Sequence, residues 1–137
     1  MSRELDFIKV NDLTATSRRV NIKLKVVRVG KERRIISSFD GKAHRVAEAL
    51  VGDETGVILM TLWDDKIDFI RDLEGKTIVL INGYVSTFRN SMRLNIGRYG
   101  KVEESDEEIE EVNEDNNLSE RRVPSGWRSR RYGRFRR

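Results

Sequence analysis

The chain has 137 residues, 37% hydrophobic and 36% charged, with a net charge of +4. That length fits one domain with tails, and a chain this polar cannot pack all of itself into one core. It contains no cysteine, which excludes disulfides and thiolate metal sites.

No segment approaches the ~20 apolar residues of a membrane span, and the first residues lack an apolar signal-peptide region. The expectation is a soluble, cytoplasmic protein with no membrane partner. The net charge conceals three regions of different sign. Residues 1–102 carry a surplus of bases, residues 103–120 hold ten acidic residues and no base, and residues 121–137 hold eight arginines and no acid. Charge blocks of this kind point to separate roles.

Taken in order, residues 1–12 read as an N-terminal segment that caps the domain. Val20 to Val29 alternates, with Ile22, Leu24 and Val26 on one face, and is predicted to be a strand. A cationic stretch follows, Lys31-Glu-Arg-Arg34, then Ile35-Ile36 and a turn at Phe39-Asp-Gly-Lys42. Ala43 to Val51 is a second strand, and Gly52 to Gly56 the hairpin into a third, which ends on Trp63. In that third strand Ile58, Met60 and Leu62 share one face; Val57, Leu59, Thr61 and Trp63 share the other. Asp64 to Leu73 has helical spacing, with an N-cap acid at its start and Gly75 as its stop. Thr77 to Gly83 and Met92 to Ile96 are the fourth and fifth strands, the latter after a loop around Arg89-Asn-Ser91.

Five short strands with a helix between the third and fourth match an all-β, five-stranded Greek-key barrel, the OB-fold, over residues 13–102. An open antiparallel sheet with a covering helix is the rival. After Val102 the apolar pattern stops. Residues 103–120 are expected to be an acidic, disordered linker, with a short helix around Asp106–Val112 as a variant. Residues 121–137 form an extended basic tail in which Trp127, Tyr132 and Phe135 are interleaved with arginine.

Trp63 is out of phase with the most continuous apolar set, and Tyr84 and Phe88 flank a polar stretch followed by Arg89. A strand tryptophan serves a core as readily as a surface. On a surface, these three rings would stack nucleic-acid bases, at ~1–3 kcal/mol per base and with little sequence preference. Arg33, Arg34, Arg89 and Arg93 are the candidate phosphate contacts, and Asn95, on the same side as Arg93, is a candidate partner for a base edge or phosphate. Lys23, Lys25, Arg28, Arg45 and Arg98 are further cations that a solvated surface would equally explain.

In the tail, Arg128, Arg130, Arg131 and Arg134 are candidate nucleic-acid contacts, since guanidinium pairs bidentately with phosphate and stacks on bases. The acidic stretch is either a solvated spacer or a polyanion competing for the basic surfaces. Asp53, Glu54, Asp64 and Asp65 read as turn and helix-start residues. With a single histidine, His44, and no phosphate-binding glycine loop, neither an enzyme nor a metal or other cofactor is expected.

Ala47-Glu-Ala-Leu-Val-Gly-Asp-Glu-Thr-Gly56, Leu62-Trp63, Asn82-Gly-Tyr-Val-Ser-Thr-Phe-Arg89, Leu94-Asn95 and Gly97 resemble the archaeal, crenarchaeal-type single-OB-fold single-stranded DNA-binding proteins. The resemblance covers about residues 13–102. It implies a non-catalytic protein that binds single-stranded DNA, or RNA, by stacking on three aromatics matching Trp63, Tyr84 and Phe88; the second is usually tryptophan in that family. It departs at the C-terminus, where the family's flexible, partner-recruiting tail gives way to an arginine block. Two other readings stay open. One is a ribosome-associated protein whose residues 121–137 enter structured RNA. The other is a module whose acidic tract recruits a replication or repair protein.

Overall fold

A computed structural model describes residues 7–120. Arg128, Arg130, Arg131 and Arg134 lie outside the described residues. Seven strands and one α-helix follow a 3-10 turn at Val10–Asp12: β1 (Arg18–Val29), β2 (Arg33–Ile36), β3 (Ala43–Asp53), β4 (Gly56–Trp63), α1 (Asp65–Arg71), β5 (Thr77–Phe88), β6 (Ser91–Asn95) and β7 (Lys101–Glu104). Strands pair in the order β1-β3-β4-β6-β5, and β5 returns to β1, which closes a five-stranded barrel. Among the described strands, β4 and β6 alone pair in parallel. This is the OB-fold, and closure leaves the barrel without the open edge of the rival sheet. The remaining strands are additions: β2 extends β3 outward as a hairpin, and β7 lies on the first half of β5.

The alternation read from the sequence fills the barrel. Ile22, Leu24, Val26, Ile58, Met60, Leu62, Ile78, Leu80 and Leu94 are fully buried, and Ile67 and Ile70 of α1 pack onto the same core. The helix starts without the expected side-chain cap. Asp64 stands before it with φ 50°, and its carboxylate accepts from the Arg45 backbone N–H (2.9 Å) and faces His44 Nδ1 (3.0 Å) instead. Asp53, also fully buried, accepts from the backbone N–H groups of Val10 (3.0 Å) and Thr55 (2.8 Å) and fixes the β3–β4 hairpin.

β5 runs past its expected end at Gly83 and continues to Phe88, because Asn82-Gly83 is a bend rather than a turn. Asn82 has φ 61°, and the register of β5 against β1 shifts here. A Cβ on Gly83 would meet Asn95 O at 2.7 Å, so only glycine lets β5 turn the barrel corner this closely. Beyond it the strand pairs with β6, ending in a two-residue turn at Arg89-Asn90, both at positive φ.

Residues 103–120, expected to be unpacked, follow a defined path around the barrel. Ser105 N–H donates to Thr77 O (2.8 Å), Asn113 N–H to Asp53 O (3.0 Å), and Val57 N–H to Asn116 O (2.9 Å). Asn117 bridges Val57, and Leu118 is fully buried in the core. Ser119 Oγ accepts from Leu59 N–H (2.9 Å) and donates to Met92 O (2.5 Å). No helix forms around Asp106–Val112. The physical reason is that one well-placed leucine and a set of backbone partners outweigh a repulsion that water screens. Burying Leu118 contributes about 1.5–3 kcal/mol, and the negative charges find cations: Glu107 pairs with Lys23, Glu114 with Arg28 (3.6 Å) and Glu104 with Lys76 (3.7 Å).

Candidate nucleic-acid interface

The face opposite the core on β4, β6 and β5 is set by register. Thr61 of β4 lies beside Asn95 of β6, and Asn95 beside Tyr84 of β5. In the next row Leu59, Arg93 and Ser86 are neighbours, and beyond them Ser91 faces Phe88. Strand alternation then puts Trp63 on this face, next to Val46 of β3.

Trp63 is 44% exposed, Tyr84 42% and Phe88 54%, while their strand neighbours Leu62 and Val85 are buried. Trp63 and Tyr84 share a cleft of about 280 Å³ with Thr61, Lys66, Asn95 and Arg98. The Tyr84 ring rests on Gly97, where a Cβ would come within 3.1 Å of it. Asn95 Nδ2 donates to Ser86 Oγ (2.8 Å) and Arg93 O (3.2 Å), which fixes the amide on the floor of this face.

Phe88 belongs to a second group, at the β5–β6 turn. The guanidinium carbons of Arg89 and Arg93 lie 5.2 and 6.0 Å from its ring centre, within cation–π range. Arg93 is largely buried. Its Nε donates to Glu48 Oε2 (2.5 Å), and its Nη1 donates to Ser91 Oγ. The structure therefore brings Trp63, Tyr84 and Asn95 together in one cleft, and Phe88, Arg89 and Arg93 at the end of the same face.

Arg33 and Arg34 stand apart, exposed on the β2 extension. Arg33 lines a separate cleft with Arg28, Lys31, Glu48 and Glu120. Among the other cations, Arg45 forms ion pairs with Glu32 and Asp68, both at 2.9 Å, which hold its guanidinium well above its ordinary range. Lys23 and Arg28 are paired with the acidic segment.

Of the other exposed aromatics, Phe39 and Tyr99 are the most exposed and the sequence pattern marks neither. Phe39, at 95% exposure, and Ile36 line a cleft with His44 and Trp63, and Tyr99 is 77% exposed beside Gly97. Both rings sit in turns, where no alternation marks a face; the only signal is a large apolar residue among polar turn residues. His44 is held by Asp64 (3.0 Å) and Asp40 (3.1 Å), and these two hydrogen bonds raise its pKa above the ordinary value. Asp64 is lowered, first by the Arg45 backbone N–H and then by His44.

Comparison with known proteins agrees with the fold. A family model described as single-stranded DNA binding protein Ssb-like, OB fold, matches residues 11–104. The Arabidopsis thaliana protein At4g28440 is 32% identical over 87% of this chain and 82% of its own length. The single-stranded DNA binding protein Ssb of Saccharolobus solfataricus is 29% identical over 91% of this chain and 88% of its own. A solution structure of a hypothetical Arabidopsis thaliana protein superposes with a TM-score of 0.73 at 31% identity, covering 92% of this chain and 91% of that one. The closed barrel and these matches place the chain in the Ssb-like family of OB-fold proteins.

Proposed function

We propose that this protein binds single-stranded nucleic acid, DNA in the first instance, without catalysing a reaction on it. The observation that carries the reading is the set of half-exposed rings, Trp63, Tyr84 and Phe88, on one face of a barrel whose core-facing residues Ile58, Met60, Leu62, Val85 and Leu94 are buried. A surface of this kind loses hydrophobic free energy in water unless something flat covers it, and bases are flat on both sides. Trp63 and Tyr84 stack successive bases, Asn95 meets a base edge or phosphate between them, and Phe88 stacks a further base. Arg89 holds phosphate at the β5–β6 turn, where Arg93, paired with Glu48, backs the Phe88 ring, and Arg33 and Arg34 hold phosphates beyond β3. The name of the Saccharolobus relative supports the choice of DNA.

The experiment is Trp63→Ala, followed by titration with an unstructured oligothymidine. Affinity is expected to fall by ~1–3 kcal/mol while the thermal transition stays cooperative. Unchanged affinity would defeat the stacking role; loss of the folded state would make Trp63 a core residue.

A second reading rests on residues 121–137, whose eight arginines alternate with Trp127, Tyr132 and Phe135. Such a segment adds an electrostatic site for structured RNA, including the ribosome. Under this reading, deleting residues 121–137 abolishes ribosome co-sedimentation and leaves oligothymidine binding at the barrel in place.

A further inference from the structure

We propose that the cleft between the start of β1 and the segment after β6 is a second subsite for the same nucleic-acid strand, extending its path past Tyr84. The inference rests on the stacking function above. The cleft, of about 840 Å³, is larger than the Trp63 cleft and shares a wall with it: Tyr84, Gly97 and Arg98 line both. Arg18, Arg19 and Tyr99 complete the new site.

Its charge is of one sign. Arg45, Arg93, Lys23 and Arg28 each face a carboxylate, whereas among the described residues no acid lines this cleft. Among the described residues, Arg18, Arg19 and Arg98 take part in no ion pair. The acidic segment is spent elsewhere, on Lys23, Arg28 and Lys76. Three arginines line one cleft without a counter-charge, and a polyanion supplies one.

The backbone departs from regular pairing to present them. Arg18 lies directly opposite Tyr84 in the β1–β5 ladder, and the register shifts at the next residue, where Arg19 has φ 51°. This bulge leaves both side chains exposed, where a regular strand would turn one toward the barrel. Strain at a non-glycine residue is retained where the surroundings impose it.

The site also carries a base platform. Tyr99 is 77% exposed, and the Arg98 guanidinium carbon lies 5.8 Å from its ring centre. Exposed arginines beside two tyrosine rings suit a chain of alternating phosphates and bases better than a free phosphate, which would leave both rings uncovered. A strand stacked on Trp63 and one face of the Tyr84 region thus continues over Arg18 and Arg19 to Tyr99.

The test compares an oligothymidine of about 5 nucleotides with one of about 15, binding to the full-length chain. The variants are Arg18→Gln/Arg19→Gln and, separately, Tyr99→Ala, with Trp63→Ala alongside. For the double variant the longer oligonucleotide is expected to bind about tenfold more weakly, and its salt slope to shrink by about 0.7 for each phosphate no longer neutralised. Tyr99→Ala should weaken the longer oligonucleotide with its salt slope intact. The shorter oligonucleotide, confined to the face of Trp63, Tyr84 and Phe88, should bind both variants as it binds the natural protein. Equal binding of the longer oligonucleotide by the natural protein and both cleft variants would overturn the subsite, as would an equal loss for both lengths. Failure of Trp63→Ala to weaken either length would instead defeat the stacking function itself, which keeps the two outcomes apart.

Discussion

Arg93 and Glu48 form an ion pair across β4, with Nε 2.5 Å from Oε2, on the face that also carries the exposed rings. Arg93 is thus a neutralised cation, and Glu48 is an acid in the path of a phosphate backbone. Glu48→Gln should raise affinity for single-stranded DNA a few fold and steepen its salt dependence by about 0.7, the slope of one added phosphate contact. Anisotropy titrations at several salt concentrations give both quantities. A fall in affinity would mean that Glu48 matters chiefly for holding Arg93 in position.

Gly97 has φ +84° and lies under the Tyr84 ring. Alanine there faces two penalties, a left-handed backbone and a Cβ 3.1 Å from the ring. Gly97→Ala should cost about 1–2 kcal/mol of stability and also weaken binding by displacing Tyr84. Gly75 has nearly the same φ, +86°, but a Cβ there would have nothing within 4 Å. Gly75→Ala should therefore lose stability and keep its affinity. Denaturant melts paired with DNA titrations separate the two effects.

Leu118 closes the core from the acidic segment. Leu118→Ala should cost about 2–5 kcal/mol, and a chain ending at residue 102 should melt roughly 10 °C or more below one ending at residue 120. Equal melting temperatures would show that the segment adds nothing to the barrel.

His44 is the one histidine, so its titration can be followed alone. Its folded pKa is raised by Asp64 and Asp40. The stabilisation is therefore complete below the unfolded value near 6.5 and is lost as pH rises through the folded value. The carboxylates of Asp40 and Asp64 are lowered, so their share is lost only as pH falls below the ordinary carboxylate range. NMR should show His44 titrating above its ordinary value, and His44→Gln should flatten the decline of stability above pH about 6.5.

Much of the barrel is legible in the sequence because two-residue alternation reports which side of a strand is buried. Val20–Val29 and Val57–Trp63 keep their expected faces, and Trp63 emerges opposite Ile58, Met60 and Leu62. Asn82-Gly83 misleads, because a turn and a strand bulge favour the same residues; what distinguishes them is whether a partner strand waits on the far side, as β6 does. The summed charge of the acidic segment dominates its sequence, and Leu118 is too isolated there to outweigh it. Arg45 and Arg93 look like free cations because their carboxylate partners, Glu32, Asp68 and Glu48, are distant in sequence or on other strands.

Periodicity and local turn chemistry were enough to read the all-β class, the inward-facing residues of β1 and β4, and Trp63 opposite them. Long-range pairing supplied the rest: closure of the barrel, the face on which Tyr84 and Phe88 stand, which cations are neutralised, the seat of Tyr84 on Gly97, the return of Leu118 to the core, and the meeting of Arg18, Arg19 and Tyr99 at one cleft. These are meetings of residues far apart along the chain. Barrel closure fixes them by bringing strand ends together, and no local pattern records where a strand end will come to lie.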